Sequence, residues 1–213
     1  MKDVNLIKLH PIKDSEYFLL IHEMRKKDID EWINKHYSAS KINNTTDSHW
    51  NWKTIYYHMA IQNSLGQKIK GYVYRINGEI YGISIVAYNY PCILNIDNKK
   101  IKPYLWYMVK SSNSTKNLLD IGINPKHVRL QKYVYDIIND EIRFNHLDDG
   151  FKTFWLHADP IGNSRLLENY IKQGFSTCIL NQDKVLKARK DDGRYMYFPE
   201  IKFKELFIPT VRR

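Results

Sequence analysis

The sequence has few of the residues that metal sites, disulfide frameworks and membrane spans require. Of its 213 residues only two are cysteines, Cys92 and Cys178, and they lack C-x-x-C spacing. Such a pair fits a reducing compartment, where cysteines serve as small buried apolar residues. The eight histidines form neither H-x-x-x-H nor H-E-x-x-H, so no metal site is predicted. No apolar run approaches the roughly 20 residues that span a bilayer, which predicts a cytoplasmic protein without a membrane partner.

Acidic residues are fewer than basic ones. Lys and Arg total 33 against 23 Asp and Glu, which gives a formal net charge of +10. This excess favours polyanionic partners such as DNA, RNA or phosphorylated cofactors, and solubility alone would also account for it. The charges are dispersed along the chain, which argues against a single basic arm as the binding element.

One aromatic segment, His49–Ile61, allows two interpretations. Trp50 and Trp52, with Lys53 beside them, have the composition of a surface that stacks on bases. The same spacing suits an amphipathic helix that packs its rings against a sheet. Residue types alone leave both interpretations open.

The clearest local signal is a β-hairpin. Two runs rich in β-branched and aromatic residues, Tyr72–Ile76 and Ile80–Val86, flank Asn77-Gly78, a pair suited to the positive φ angles of a type I′ turn. The order of the elements predicts an α/β (α+β) fold with a mixed central sheet and helices on both faces. The other predicted elements are helical Asp14–His36, strand Tyr104–Val109, helix Lys126–Phe144, strand Phe151–Leu156, helix Ser164–Lys172, and strands Phe175–Leu180 and Tyr195–Phe198.

The stretch from Phe154 to Phe175 carries a family resemblance. Asn163, Tyr170 and Gly174-Phe175 have the spacing N-x-x-A-x-x-x-Y-x-x-x-G-F, with Leu166 in place of the alanine. This pattern resembles the second half of the GNAT acetyltransferase fold, in which the glycine ends a helix. The resemblance implies a GNAT-like domain over residues 1–180. Residues 181–213 would add a strand and an extension, which either belongs to the same domain or docks on a neighbour.

The resemblance also implies roles for individual residues. Tyr170 stands where a tyrosine of the family acts as general acid and protonates the departing thiolate of coenzyme A; Asn163 would lie near the pantetheine. The alternative is that Tyr170 only packs beneath the sheet. Glu79 and Asp120 are candidates for a general base, and nothing in the sequence singles either out.

The sequence departs from the family at the loop that holds the coenzyme's diphosphate. That loop reads R/Q-x-x-G-x-G/A, because glycines let main-chain N–H groups approach the phosphates. It would follow either a strand at Leu119–Asn124 or the strand Tyr104–Val109, and neither following segment contains glycine. The sequence therefore predicts no cofactor. If acetyl-CoA binds after all, positive side chains and Asn163 would have to hold it; the candidates are Lys126, Arg129 and Lys132.

A second resemblance is to bacteriophage proteins related to the internal virion or head-assembly proteins of short-tailed phages, which look like GNAT domains without the cofactor loop. Their R-x-x-D-x-x-E pattern is similar to Arg25, Asp28 and Glu31, and their tryptophan-bearing strand is similar to Trp106. This chain is longer, with additional segments at Asn89–Pro103 and Asn181–Arg213.

The second resemblance and the missing glycines together predict a non-enzymatic structural or assembly protein of a phage virion, located in the neck, a tail ring or the interior. Its partners would be copies of itself and other virion proteins, with contact to packaged DNA. The first alternative is an acetyl-CoA-dependent N-acyltransferase with Tyr170 as general acid. The second alternative is a nucleic-acid-binding module that uses Trp50, Trp52 and Lys53.

Overall fold

A computed structural model describes residues 6–37, 46–90, 92–95, 103–144, 154–181 and 191–199. Within these ranges the strands are β1 (Leu6–Pro11), β2 (Phe18–Glu23), β3 (Ile69–Ile76), β4 (Glu79–Ala87), β5 (Tyr104–Lys110), β6 (Trp155–His157), β7 (Ser176–Thr177) and β8 (Tyr195–Tyr197). The α-helices are α1 (Lys26–Trp32), α2 (Trp52–Ser64), α3 (Ser114–Asp120), α4 (Leu130–Phe144) and α5 (Asn163–Lys172). A π-helix (Ile33–Tyr37) follows α1, and short 3-10 turns lie at Thr46–His49, Pro125–His127 and Pro160–Gly162.

The strands form one sheet in the order β1-β2-β3-β4-β5-β6-β8-β7. The pairs β1–β2, β2–β3, β6–β8 and β7–β8 are antiparallel, whereas β5 and β6 are parallel. The predicted α/β fold with a mixed central sheet is therefore confirmed. The segment after residue 180 contributes β8 to the interior of this sheet; residues 182–190 and 200–213 of the predicted extension lie outside the described part.

The chain divides into two compact units. The first comprises Met1–Val86 and Tyr107–Val134, and the second comprises Ala87–Trp106 and Tyr135–Arg213. The second unit takes in the middle of the chain as well as its end, and the predicted division at residue 180 stays a prediction. Of the extra segment Asn89–Pro103, residues 91 and 96–102 lie outside the described part.

The predicted hairpin is confirmed in the first unit. Strands β3 and β4 are joined by Asn77 and Gly78, whose φ angles are 49° and 82°. Positive φ at both central residues is the type I′ geometry, which matches the right-handed twist of the flanking strands. The prediction succeeded because the signal is local.

The predicted helical interpretation of Asp14–His36 is wrong over its first half. Residues Phe18–Glu23 form β2, and alternate side chains of this strand are buried: Leu19 and Ile21 are fully inaccessible, whereas Phe18 is half exposed. Asp14 turns the chain back onto β1 with a φ of 57°. The i, i+3 spacing of apolar residues fits a helix, but pairing on both edges, with β1 and with β3, gives this segment a strand conformation.

The strand alternative at Leu119–Asn124 is also wrong. This segment contains the last turn of α3 and a bend at Gly122, where φ is 75°. Of the two alternative strands only Tyr104–Val109 is observed, as β5, and the segment that contains Lys126, Arg129 and Lys132 does not follow it directly. An additional helix, α3, lies between β5 and α4.

Gly82 on β4 is required by close packing in the first unit. A Cβ atom there would lie 2.7 Å from Leu130 Cδ2 and 2.9 Å from the carbonyl oxygen of Val109. We expect Gly82→Ala to lower the free energy of unfolding by about 1–3 kcal/mol because the backbone must shift. Urea unfolding measures this loss. The double variant Gly82→Ala/Leu130→Ala should lose less free energy of unfolding than the sum of the two single losses, because truncation of Leu130 removes one of the clashes. An unchanged unfolding midpoint for Gly82→Ala would contradict the prediction.

The core of the second unit is an aromatic cluster. Phe154 stacks on Phe198 with ring planes 4° apart, and Phe175 packs edge-on against both rings. Tyr135 closes the cluster and donates a 2.9 Å hydrogen bond to Oε1 of Gln173. The predicted strand at Phe151–Leu156 is observed only as β6, since residues 151–153 lie outside the described part.

Candidate active site

Tyr170 lies on α5, next to the aromatic cluster of the second unit. It is half-buried, and its ring packs edge-on against Phe175 at 5.3 Å. Burial raises the pKa of Tyr170 to about 12, so the phenol keeps its proton at neutral pH. In the described part of the chain no group forms a hydrogen bond with its hydroxyl. The ring of Tyr170 therefore packs against Phe175, which agrees with the alternative of a packing role. Its hydroxyl proton forms no hydrogen bond with any described residue.

Asn163 begins α5 and fixes the direction of the helix. Its φ angle is 46°, its side-chain oxygen accepts a hydrogen bond from Arg165 N at 2.9 Å, and its carbonyl accepts one from Arg194 at 2.9 Å. Arg194 also donates to the carbonyls of Ala158 and Asp159. The asparagine side chain thus accepts a hydrogen bond within the first turn, and Gly174, at a φ of 103°, ends the helix. Proximity of Asn163 to pantetheine stays a prediction.

The candidate coenzyme segment leads into α4 in the first unit. The chain enters it through Asn124, whose side chain accepts a hydrogen bond from Lys126 N at 3.0 Å. Lys126, Arg129 and Lys132 are all exposed. The first turn of a helix leaves N–H groups without intrahelical partners and carries partial positive charge. Three cationic side chains therefore surround a helix start that is itself electropositive.

The segment without glycine turns its large apolar side chains inward. The large side chains of Val128, Leu130 and Tyr133 are at most 6% exposed and point into the core. Leu130 packs over Gly82, and the carbonyl of Val128 accepts a 2.8 Å hydrogen bond from Tyr81. The outward-facing groups are thus the flexible cations.

Glu79 and Asp120, the two candidate bases, line one cavity of the first unit. Its volume is about 390 Å³, and it lies between the β3–β4 hairpin and α3. Ser114 also lines it; that residue is 2% exposed, and its hydroxyl lacks a hydrogen-bond partner in the described part of the chain. Apolar side chains complete the wall, namely Ile76, Ile80, Leu118 and Ile121. The cavity thus offers carboxylates beside an apolar surface.

Glu79 belongs to a chain of ion pairs. Its carboxylate lies 3.3 Å from Lys35 Nζ, and Lys35 lies 3.4 Å from Glu31. Glu31 in turn is 2.6 Å from Arg75, whose other partner is buried Asp28 at 2.9 Å. Burial raises the pKa of Glu31, but the hydrogen bond and charge of Arg75, together with Lys35, outweigh it and lower that pKa overall. The charges of Arg75 and Lys35 thus favour the ionised form of Glu31.

The aromatic segment is helical from Trp52, and most of its rings pack. Trp52 is 1% exposed, with Trp50 edge-on at 5.5 Å and Tyr107 at 5.9 Å. Trp50 is half-buried and contacts Tyr107 at 4.9 Å, and Lys53 is exposed. The packing interpretation therefore holds for Trp52, whose faces are not accessible to a base.

Two polar residues of the first unit escaped the sequence reasoning. Ser114 lies in a run of serines and asparagines that reads as an ordinary loop, and His36 belongs to no metal or catalytic motif. Their burial depends on tertiary packing, so no sequence signal could have singled them out.

Over the described ranges, no group of three or more His, Cys, Asp or Glu residues is arranged to hold a metal ion. The same ranges contain no helix that is both long and apolar enough to cross a membrane.

Comparison with solved structures identifies the fold. An uncharacterised protein from Bacillus halodurans aligns with a TM-score of 0.53 at 13% identity, over 96% of this chain and 95% of that one. A GNAT-family acetyltransferase from Staphylococcus aureus aligns at 0.48 and 17% identity, over 84% and 98%. Spermidine N-acetyltransferase from Vibrio cholerae, solved with CoA and spermine, aligns at 0.47 and 11%, over 87% and 97%. No protein-family model and no curated protein matches this sequence.

These likenesses define a GNAT-like fold, and at such identities they concern the fold alone. They correct the predicted function. Two of these three structures are named as acetyltransferases and none as a virion protein, which contradicts the prediction of a non-enzymatic virion protein. The predicted placement in a phage neck, tail ring or virion interior has no support in the fold or in these structures.

Proposed function

We propose that this protein is an acyl-CoA-dependent N-acyltransferase. The observation that carries the proposal is the hydroxyl of Tyr170, which is half-buried, protonated at neutral pH and without a hydrogen-bond partner among the described residues. A phenol that no neighbouring group engages is free to donate its proton to a bound molecule. The GNAT-like fold supports the same assignment.

Tyr170 has the properties of a general acid. Its high pKa keeps the proton on the phenol until a stronger base, such as a departing thiolate, comes within hydrogen-bond distance. The edge-on contact with Phe175 fixes the ring, so little rotational freedom is lost when the proton is transferred. Bound acetyl-CoA would supply the acyl group as an activated thioester.

The cationic segment before α4 is the proposed holder of the coenzyme's diphosphate. Arg129 and Lys132 are exposed at the start of the helix, where ion pairs with phosphate add to the helix dipole. Each charge-assisted contact is worth about 1.5–3 kcal/mol, or roughly tenfold or more in affinity.

The cavity of the first unit is the proposed acceptor site. Glu79 and Asp120 would attract a protonated amine, and the apolar wall would cover its alkyl chain. The ion pair of Glu79 with Lys35 favours a role in attracting the cation over a role as proton acceptor. An amine acceptor makes the transfer an N-acylation.

Calorimetry with acetyl-CoA tests the proposal. We expect micromolar binding, a strong decrease of affinity with salt, and release of thiol when an amine is added. The double variant Arg129→Ala/Lys132→Ala should weaken binding by at least about tenfold. Lys116→Ala, at an exposed position of α3, is the matched control and should leave affinity unchanged. The absence of a measurable heat of binding with acetyl-CoA at millimolar concentration would contradict the proposal.

A further inference from the structure

The turn of the β3–β4 hairpin contributes a reactive pair of residues to the cavity of the first unit. Asn77 lines this cavity next to Glu79, and both residues are exposed, as is Gly78 between them. Asn77-Gly78 is the only Asn-Gly pair in the sequence. The amide of an asparagine before glycine is more reactive than that of other asparagines, because glycine has no side chain to shield its main-chain nitrogen.

The main-chain nitrogen of Gly78 is accessible in the fold. Its N–H donates no hydrogen bond to any described residue. The glycine is held on its carbonyl side instead, where Nη1 of Arg75 donates a hydrogen bond of 2.8 Å. A Cβ atom added at Gly78 would meet no atom within 4 Å. The turn holds Asn77 at a φ of 49°, and the rotation that brings its side chain to the Gly78 nitrogen therefore meets no obstruction at Gly78.

A second asparagine of the same cavity provides the contrast. Asn117 also lines the cavity, but it lies inside α3, where its N–H donates to the carbonyl of Asn113 at 2.9 Å. The residue that follows it, Leu118, is 2% exposed. A main-chain nitrogen within a helix is engaged in the helical hydrogen bonds, and the branched side chain of a leucine shields it further. The cavity thus contains one reactive and one protected asparagine.

The charge of the cavity determines what a change at position 77 would do. The described residues that line it include the carboxylates of Glu79 and Asp120 and neither a lysine nor an arginine. Asp120 is the last residue of α3, the end of a helix that carries partial negative charge. A new carboxylate at position 77 would lie two residues before Glu79 in the same wall, so the cavity would present three carboxylates to a cation.

We propose that Asn77 is a site of spontaneous deamidation, which adds a third carboxylate to this cavity and strengthens its binding of amines. In the first step the Gly78 nitrogen attacks Cγ of Asn77 and closes a cyclic imide. The Cγ–Nδ2 bond breaks, and Nδ2 leaves as ammonia with the proton of the Gly78 N–H. In the second step water opens the imide at either carbonyl carbon. The product at position 77 is an aspartate or an isoaspartate, and water is the only reactant that the protein does not supply.

The two products differ in their effect on the hairpin. Aspartate keeps the length of the main chain and tolerates the positive φ of a type I′ turn, so the pairing of β3 with β4 should persist. Isoaspartate inserts a methylene into the main chain of a two-residue loop, and such a loop fixes the register of its strands. The aspartate form is therefore the one that should bind amines more tightly, and Asn77→Asp reproduces it.

Peptide mass spectrometry of the whole protein after incubation at mildly alkaline pH tests the chemical step. We expect position 77 to show the mass gain that accompanies replacement of an amide NH2 by OH. The rate should exceed that at Asn117 by at least about tenfold, because Gly78 leaves its nitrogen unshielded. It should rise with pH, since the attacking nitrogen must lose its proton. Equal rates at the two asparagines would overturn the proposal.

Calorimetry with 1,4-diaminobutane tests the effect on the cavity and needs no coenzyme; the choice of an amine rests on the proposed acceptor site. Asn77→Asp should bind the diamine about two- to fivefold more tightly than wild type, the range expected for one exposed ion pair, and salt should reduce the gain. The matched control is Asn169→Asp, at an exposed position of α5. It adds the same charge at a residue that does not line the cavity and should leave the affinity unchanged.

Equal affinities of Asn77→Asp and Asn169→Asp for the diamine, or no binding to either, would overturn the proposal. The outcome for the acyltransferase function is separate. If wild type fails to bind acetyl-CoA while Asn77→Asp still binds the diamine more tightly, the acyltransferase proposal is wrong and the deamidation site stands.

Discussion

Substitution of Arg75 by methionine is expected to lower the free energy of unfolding by about 3–5 kcal/mol. Arg75 binds Asp28 at 2.9 Å and Glu31 at 2.6 Å, and its Nε donates to His22 Nε2 at 3.2 Å. Its Nη1 also donates to the carbonyl of Gly78 at 2.8 Å. One guanidinium therefore joins α1, β2 and the turn of the β3–β4 hairpin.

The large effect arises mainly from Asp28. This carboxylate is 1% exposed, and without Arg75 it would be a buried charge that has lost its ion-pair partner. Leaving such a charge unpaired costs much more free energy than an intact buried ion pair contributes to stability. The pKa of Arg75 shows the same balance: burial lowers it, but hydrogen bonds and charges of Glu31 and Asp28 raise it overall. The guanidinium stays charged in the folded protein.

Urea unfolding of Arg75→Met measures the loss. Lys35→Met is the matched control, because Lys35 also pairs with Glu31 but is exposed, and exposed ion pairs contribute little. Adding Asp28→Asn to Arg75→Met should restore part of the stability, since it removes the buried charge and keeps an oxygen for the hydrogen bond from Arg25 N. A midpoint for Arg75→Met no lower than that of Lys35→Met would contradict the prediction.

This ion-pair network gives a structural explanation for the spacing of Arg25, Asp28 and Glu31. In the sequence the spacing was similar to that of phage proteins, and it suggested kinship with them. In the fold Asp28 accepts a hydrogen bond from Arg25 N and, together with Glu31, binds Arg75 on β3. The pattern therefore has a structural explanation in this chain, and its partner, Arg75, lies 47 residues from Asp28.

The elements that could be predicted are those with local signals. The Asn77-Gly78 turn needs only positive φ at two adjacent residues, and the end of α5 needs only Gly174 at a positive φ. The strand β2 could not be predicted in this way. Its apolar residues also fit a helical stripe, and only pairing with β1 and β3 decides between the two conformations.

In the candidate site, too, only the features with local signals could be predicted from the sequence. The positions of Tyr170 on α5 and of Asn163 at its start could be predicted because helix geometry fixes their spacing, whereas their roles were implied by the family resemblance alone. The contact between His36 and Ser111 joins residues 75 apart in sequence, and burial of Ser114 depends on how α3 packs. The sequence likewise gives no indication that Val128, Leu130 and Tyr133 are buried while Arg129 and Lys132 are exposed.

Substitution of Tyr170 by phenylalanine is expected to lower kcat of acyl transfer by about 10²–10⁴-fold. The change removes one oxygen and keeps the ring that packs against Phe175. Because the hydroxyl makes no hydrogen bond within the described residues, the free energy of unfolding should be nearly unchanged. The affinity for acetyl-CoA should also be unchanged, since the cationic segment before α4 remains intact. Calorimetry and thiol-release kinetics on the same preparation separate these quantities.

The matched control is Tyr135→Phe, in the same aromatic cluster. The Tyr135 hydroxyl donates to Gln173 Oε1 at 2.9 Å, and burial, followed by the charge of Tyr170, raises its pKa well above the ordinary value. Loss of this hydroxyl should therefore cost about 1 kcal/mol of stability and leave kcat unchanged, the reverse of the pattern expected for Tyr170→Phe. A Tyr170→Phe variant with the wild-type kcat would show that this tyrosine only packs, and the acid would then have to be sought elsewhere in the fold.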